Sequence, residues 1–186
     1  MRIRPTESNA ILGDWHGRSG AKERKILVDP RHFRTILGSY PTGVCVITSV
    51  SAGGERWGLA VGTFTAISLD PPLVGFMPDK RSLSWKQIET TGAFCVNILS
   101  AAQLDICRRF ATRGGDKFDG ISHNHSPGGL PVLDAVLAWV ECSIEKVVEL
   151  GDHVLVVGAV RALEKVSDEP PLLFHRGGYH TLNSLD

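Results

Sequence analysis

The sequence has no surplus of charge: 20 Lys and Arg face 20 Asp and Glu along 186 residues. Nucleic-acid binders carry a basic excess, so no polyanionic macromolecule is expected as a partner, although a local basic pocket is compatible with the balance. Long apolar runs are missing too. No stretch reaches the ~18 residues that a membrane-crossing helix needs, and the opening MRIRPTESNAILGDW holds no unbroken apolar core of a secretory signal. The expectation is a cytoplasmic protein with no membrane partner. Cysteine is sparse: Cys45, Cys95, Cys107 and Cys142 lie in apolar segments without CxxC spacing. That predicts buried thiols in a reducing compartment. His123 and His125 have no third ligand nearby, so no metal is expected. GxSxG is absent, as is GxGxxG after a strand, and no two carboxylates stand out as an acid–base dyad. Serine-nucleophile chemistry and a conventional dinucleotide fold are not supported.

What is present is one domain's worth of chain, 42% hydrophobic, with a polar start. Residues 1–28 form an arm in which Arg2, Arg4, Arg18, Lys22, Arg24 and Lys25 outnumber Glu7, Asp14 and Glu23, with Trp15 as its one anchor. The folded domain is expected over 29–186. Strand signals dominate it. GVCVITSV (43–50) and RWGLAVGTFTAISL (56–69) flank the turn SAGGE and predict a hairpin. PLVGFM (72–77) and AFCVNIL (93–99) are short apolar runs bounded by turn residues. A second hairpin turns at Gly151-Asp152, between AVLAWVECSIEKVVEL and HVLVVGAVRALEKV. In its first strand Ala138, Val140, Cys142 and Ile144 share one face, and Trp139, Glu141, Ser143 and Glu145 the other. Three short helices are predicted within 29–40, 82–92 and 100–112, the last opened by the capping-box pair Ser100 and Gln103. Six strands in antiparallel hairpins with three small helices predict a mainly β protein, closed or nearly closed as a barrel.

Several stretches carry candidate chemistry. DKRSLSW (79–85) places Asp79, Lys80, Arg81, Ser82 and Ser84 at a helix start, where free N–H groups and cations suit a phosphate; it also reads as an ordinary capped helix with solvated charges. GGDKFDG (114–120) sets Lys117 beside Phe118, either against a ligand or as a surface loop with one anchor. His153 follows the hairpin turn, at a strand mouth where a ligand could be reached. PPLLFHRGGYHTL (170–182) presents His175, Arg176 and Tyr179 around Gly177-Gly178, or simply ends the sheet. VGTFTAISLDPP (61–72) poses a question of its own, because Gly62, Thr63 and Thr65 interrupt an otherwise buried strand.

In order and spacing, YPTGVCVITS, VGTFTAISLDPPLVGF, AFCVNIL, FATRGGDKFDG, GDHVLVVGAV and PLLFHRGGY resemble the flavin reductase-like family. The likeness covers residues 30–182 and is narrower toward the NAD(P)H:flavin oxidoreductase components of two-component flavin monooxygenases. It implies an antiparallel six-stranded Greek-key split barrel, the FMN-binding split barrel, in a homodimer with flavin near the subunit interface. It implies FAD or FMN and NADH, with NADPH as the alternative, and a separate monooxygenase that receives reduced flavin. By the same resemblance Val61, Gly62, Thr63, Phe64 and Thr65 would lie along the isoalloxazine ring, and Asp79 to Ser84 would take the phosphate. Lys117 and Phe118 would close over the cofactor, with Asn97 and Phe110 completing the flavin set. His153 would position the nicotinamide, with His175, Arg176 and Tyr179 near it. The implied reaction is hydride transfer between two cofactors, which needs stacking and orientation more than a catalytic dyad. A flavin- or haem-binding module, or a flavin-dependent oxidase, remains open on the same fold.

Overall fold

The computed structural model describes residues 28–182, so the polar arm with Trp15 lies outside the described residues but for Val28. The elements are α1 (Pro30–Leu37), β1 (Thr42–Gly43), β2 (Cys45–Val50), β3 (Arg56–Val61), β4 (Thr65–Leu69) and β5 (Pro72–Phe76). Then come α2 (Leu83–Thr91), β6 (Ala93–Ile98), a 3₁₀ turn (Ala101–Gln103) and α3 (Leu104–Ala111). The chain ends with β7 (His123–His125), β8 (Pro131–Leu133), β9 (Ala138–Leu150), β10 (His153–Lys165), β11 (Leu173–His175) and β12 (Gly178–His180). The protein is mainly β with few helices, and the three predicted helices form where their caps direct. Asp29 and Ser82 accept from the backbone N–H of Arg31 and Trp85, at 3.0 and 3.2 Å. Gln103 Oε1 accepts from Ser100 N at 3.0 Å.

The main sheet is antiparallel with strand order β3-β2-β6-β9-β10-β5-β4, seven strands where six were expected. The extra strand arises because the run 56–69 divides at Gly62–Phe64 into β3 and β4, which sit on opposite edges. Across a flat sheet, six spacings of about 4.8 Å would hold those edges roughly 29 Å apart. The link from Val61 to Thr65 reaches at most about 14 Å. The sheet is therefore rolled, and its two edges approach each other without pairing.

Rolling gives the sheet two cores. One face gathers Ile47, Phe76, Trp85, Phe94, Val96 and Val156, the other Val46, Phe110, Phe118, Leu133 and Trp139. Strand β2, covered on both faces, is buried at five of six positions. Trp139 lies on the face of β9 that reads as polar in sequence, and the second core buries it to 8% exposure. The four cysteines are free and buried; burial pushes the Cys45, Cys95 and Cys142 thiols up to about 12. At the Gly151-Asp152 turn the positive φ falls on Gly151, and Leu150 pairs with His153 as the hairpin requires.

Candidate functional site

Three segments distant in sequence meet along the open edge of β3: the start of α2, the end of α3 with the loop after it, and the mouth of β10. They enclose a groove of about 580 Å³ with Leu59, Val61 and Phe110 among its apolar lining. Phe110 reaches this position because residue 58 is Gly, where a Cβ would lie 2.6 Å from its Cδ1. Strand β3 pairs only with β2, so its other edge faces the groove. The Gly58 carbonyl accepts from Lys117 Nζ at 3.1 Å and so points away from β2. In an antiparallel ladder both polar groups of a residue face the same side, and the side repeats every second residue. The N–H and C=O of Ala60 therefore face the groove as well, without a strand partner.

Two cations of the groove stand without a carboxylate partner among the described residues. Lys117 Nζ donates to the Gly58 and Phe110 carbonyls and to Ser84 Oγ, at 3.1, 3.0 and 3.2 Å. Burial lowers its pKa below the ordinary lysine value. Arg113 lines the same groove, and no ion pair among the described residues includes either cation. Beside Lys117 α2 opens, with Ser82 as cap and the first-turn N–H groups of Leu83 and Ser84 beyond it. Uncompensated cations, free N–H groups and an apolar floor suit a flat, partly apolar molecule carrying a phosphate.

The mouth of β10 is held by backbone. Lys80 N donates to Asp152 O at 3.0 Å and Val154 N to Pro78 O at 3.1 Å, tying the loop before α2 to the β9–β10 turn. That tie brings His153 onto the groove, its Nδ1 2.8 Å from Asp152 Oδ1. Arg81 grips Asp79 through Nε and Nη2 at 3.1 and 2.7 Å, and its guanidinium holds the Asp79 carboxyl well below the usual carboxylate range. The imidazole beside Asp152 lowers that carboxyl too. Thr63 Oγ1 accepts from Met77 N at 2.8 Å, fixing the β3–β4 link to the end of β5.

The groove thus gathers Val61, Gly62, Thr63, Asp79, Arg81, Ser82, Ser84, Phe110, Lys117 and His153 from the residues singled out in sequence. Others lie elsewhere. Phe64, which follows the Gly62–Thr63 break on the groove wall, leans on the core, and exposed Thr65 opens β4. Lys80 is paired with Glu149 at 3.0 Å and does not line the groove. Phe118, 2% exposed, packs edge-on against Phe110 at 5.1 Å and is a core residue beneath the site, where a lid was expected. Asn97 is fully buried: it donates to Val46 O and Thr48 Oγ1 and accepts from Leu133 N, so it joins strands. His175, Arg176 and Tyr179 sit in the separate sheet β1-β11-β12, with Tyr179 Oη 3.5 Å from Cys107 Sγ. That sheet approaches the groove through Thr42, whose Oγ1 would lie 2.8 Å from a Cβ at Gly62. His123 and His125 line neither this groove nor the smaller one beside it.

Sequence reasoning missed Ala60, Leu59, Met77 and Arg113. Arg113 stands directly before the GGDKFDG stretch and was within reach as a further cation. Ala60 carries no side-chain signal, since its contribution is an unpaired strand edge.

Fold and groove together define a rolled antiparallel sheet whose open edge carries a groove suited to a phosphate-bearing, partly apolar ligand. The flavin reductase like domain family matches residues 37–183. A flavin reductase from Pseudomonas putida is 50% identical over 152 residues, spanning 82% of this chain and 89% of that protein. The reductase subunit HsaB of a flavin-dependent monooxygenase from Rhodococcus jostii is 48% identical over 152 residues, covering 82% and 77% of the two chains. The NADH:FAD oxidoreductase SgcE6 of Streptomyces globisporus, solved in complex with NAD and FAD fragments, superposes with a TM-score of 0.78 at 30% identity, covering 84% of this chain and 96% of that one. The chain belongs to the flavin reductase-like domain family, and it is similar to reductase partners of flavin-dependent monooxygenases.

Proposed function

We propose that the protein transfers hydride from NADH, or less favourably NADPH, to FAD or FMN, and that the reduced flavin passes to a separate flavin-dependent monooxygenase. The observation that carries this reading is the unpaired β3 edge at Ala60 above an apolar floor, ending at the uncompensated cations Lys117 and Arg113. A flavin presents a polar pyrimidine edge, an apolar dimethylbenzene end and, on a chain from its central ring, a phosphate, and the groove offers groups of all three kinds. Bound flavin supplies a hydride-accepting ring atom, and the nicotinamide supplies the hydride. Ala60 N–H and C=O would orient the ring edge, Leu59 and Val61 would exclude water from one face, and Lys117 with the α2 N–H groups would hold the phosphate. His153, braced by Asp152, would position the nicotinamide at the far end. No side chain in the groove needs to move a proton for this transfer, which agrees with the missing catalytic dyad.

The same reading takes the rolled sheet as the split barrel of the family and the working form as a homodimer. Support for the dimer comes from α1, none of whose residues is buried although Phe33, Ile36 and Leu37 are apolar. Arg176 N donates to Gly38 O at 2.9 Å, so this helix end and the His175-Arg176 turn form one surface. A second chain covering it would adjoin the groove through Thr42.

The test is NADH oxidation at 340 nm by purified protein, first without flavin and then with FAD or FMN. Oxidation that requires added flavin is expected. No oxidation with either flavin and either nicotinamide would overturn the proposal and leave a binding module or an oxidase.

A further inference from the structure

A second cavity of about 420 Å³ adjoins the groove and shares Leu83, Ser84, Gly114 and Lys117 with it. It lies between the β2–β3 turn, the first turn of α2 and the loop after α3, and falls within the size range of ligand pockets. Leu83 carries the groove's apolar lining into it. Beyond it Trp57, half-buried on β3, supplies an indole surface, and Glu55 and Asp116 supply carboxylates. Arg56 lines it as well, its guanidinium carbon 5.2 Å from the centroid of the Phe118 ring.

The order of chemistry along the two cavities is informative. Lys117 and the free N–H groups that open α2 stand at their junction, not at a closed end, because Leu83, Ser84 and Lys117 line both. A site evolved for a terminal phosphate alone would need no aromatic wall or carboxylates beyond the cation. A molecule continuing through its phosphates into a nucleoside would place its base against Trp57 and its ribose hydroxyls toward Glu55 or Asp116. Stacking of a base on an aromatic side chain is sequence-tolerant and worth about 1–3 kcal/mol.

We propose that this second cavity is an adenosine subsite that continues the flavin site, so that the protein prefers FAD to FMN, with Trp57 as the specificity-determining residue. The inference rests on reading the groove as a flavin site. NADH also carries adenosine, and the continuity at Lys117 and Ser84 favours the flavin's nucleotide over it.

The test compares steady-state reduction of FAD and of FMN by wild type, Trp57→Ala and Trp57→Phe. In Trp57→Ala the KM for FAD should rise about tenfold, or ~1.4 kcal/mol. The KM values for FMN and NADH should stay within twofold, and Trp57→Phe should recover most of the FAD affinity. FMN turnover by Trp57→Ala reports that the variant is folded and that the groove works. Equal effects on FAD and FMN, or none, would overturn the subsite. A rise confined to the KM for NADH would assign the cavity to the nicotinamide nucleotide and equally overturn the proposal. Absence of activity with every flavin in wild type would instead sink the reductase reading itself.

Discussion

Lys117 donates to two backbone carbonyls and one hydroxyl and to no carboxylate. Its positive charge is half-buried and unneutralised, and burial lowers its pKa below 10.5. The sign of the consequence follows. In the free protein the ammonium loses its proton at a lower pH than in the unfolded chain, so this one group makes stability rise with pH between those two values. A bound phosphate favours the ammonium and raises its pKa again, so binding takes up a proton in that window. Flavin affinity should accordingly fall as pH climbs through the free-state value. In Lys117→Met the KM for flavin should be raised about tenfold or more at neutral pH, and the alkaline rise in KM should vanish. Stopped assays from neutral to alkaline pH would check this. A variant that loses stability but keeps the wild-type pH profile would show Lys117 to be merely structural.

At the scale of elements, hairpins and helix starts were legible because their signals are local. Gly151 supplies the positive φ its turn demands, and Ser82 caps α2 from within its own motif. The division of residues 56–69 was not legible. Gly62–Phe64 contains no proline and no charge, and the break exists only because a rolled sheet sends the chain from one edge to the other. The hydroxyls in that run accordingly act on protein: Thr63 caps Met77, and Thr65 bonds the adjacent Ala66 carbonyl. Helix α1 carries a different message, an apolar face that the other described residues leave exposed. If that face joins two chains, Phe33→Glu with Ile36→Glu should convert a dimer into a species with the 20.2 kDa mass of one chain. Light scattering after size exclusion would read it. An unchanged mass from a dimeric parent would place the interface elsewhere, the exposed Ile67 and Leu69 of β4 being the next surface to vary.

For the whole molecule, the site was legible as motifs and illegible as a surface. Asp79 to Ser84, Lys117 and His153 announce themselves by residue type, whereas Phe118, Asn97 and Tyr179 carry the same kinds of side chain and turn inward. What separates the two groups is the rolled sheet, and its closure depends on how tightly the inner core packs. Gly158 lies there, at a register shift in the β9–β10 ladder. A Cβ at this position would overlap Phe94 Cζ and come within 2.9 Å of its Cε1 and 3.0 Å of Cys142 Cβ. Phe94 has no room to yield: it is fully buried and meets the Phe76 ring at 5.1 Å, which in turn meets Trp85 of α2 at 5.8 Å. Gly158→Ala should therefore destabilise the fold by about 1–3 kcal/mol, lowering the urea midpoint at unchanged slope. Phe94→Leu alone should also destabilise, by removing core volume. Combined, the two changes should cost less than their separate effects added together, since the smaller side chain makes room for the new methyl. Strict additivity in that cycle would mean that Gly158 and Phe94 do not meet, and that the sheet is rolled less tightly than its edge-to-edge link requires.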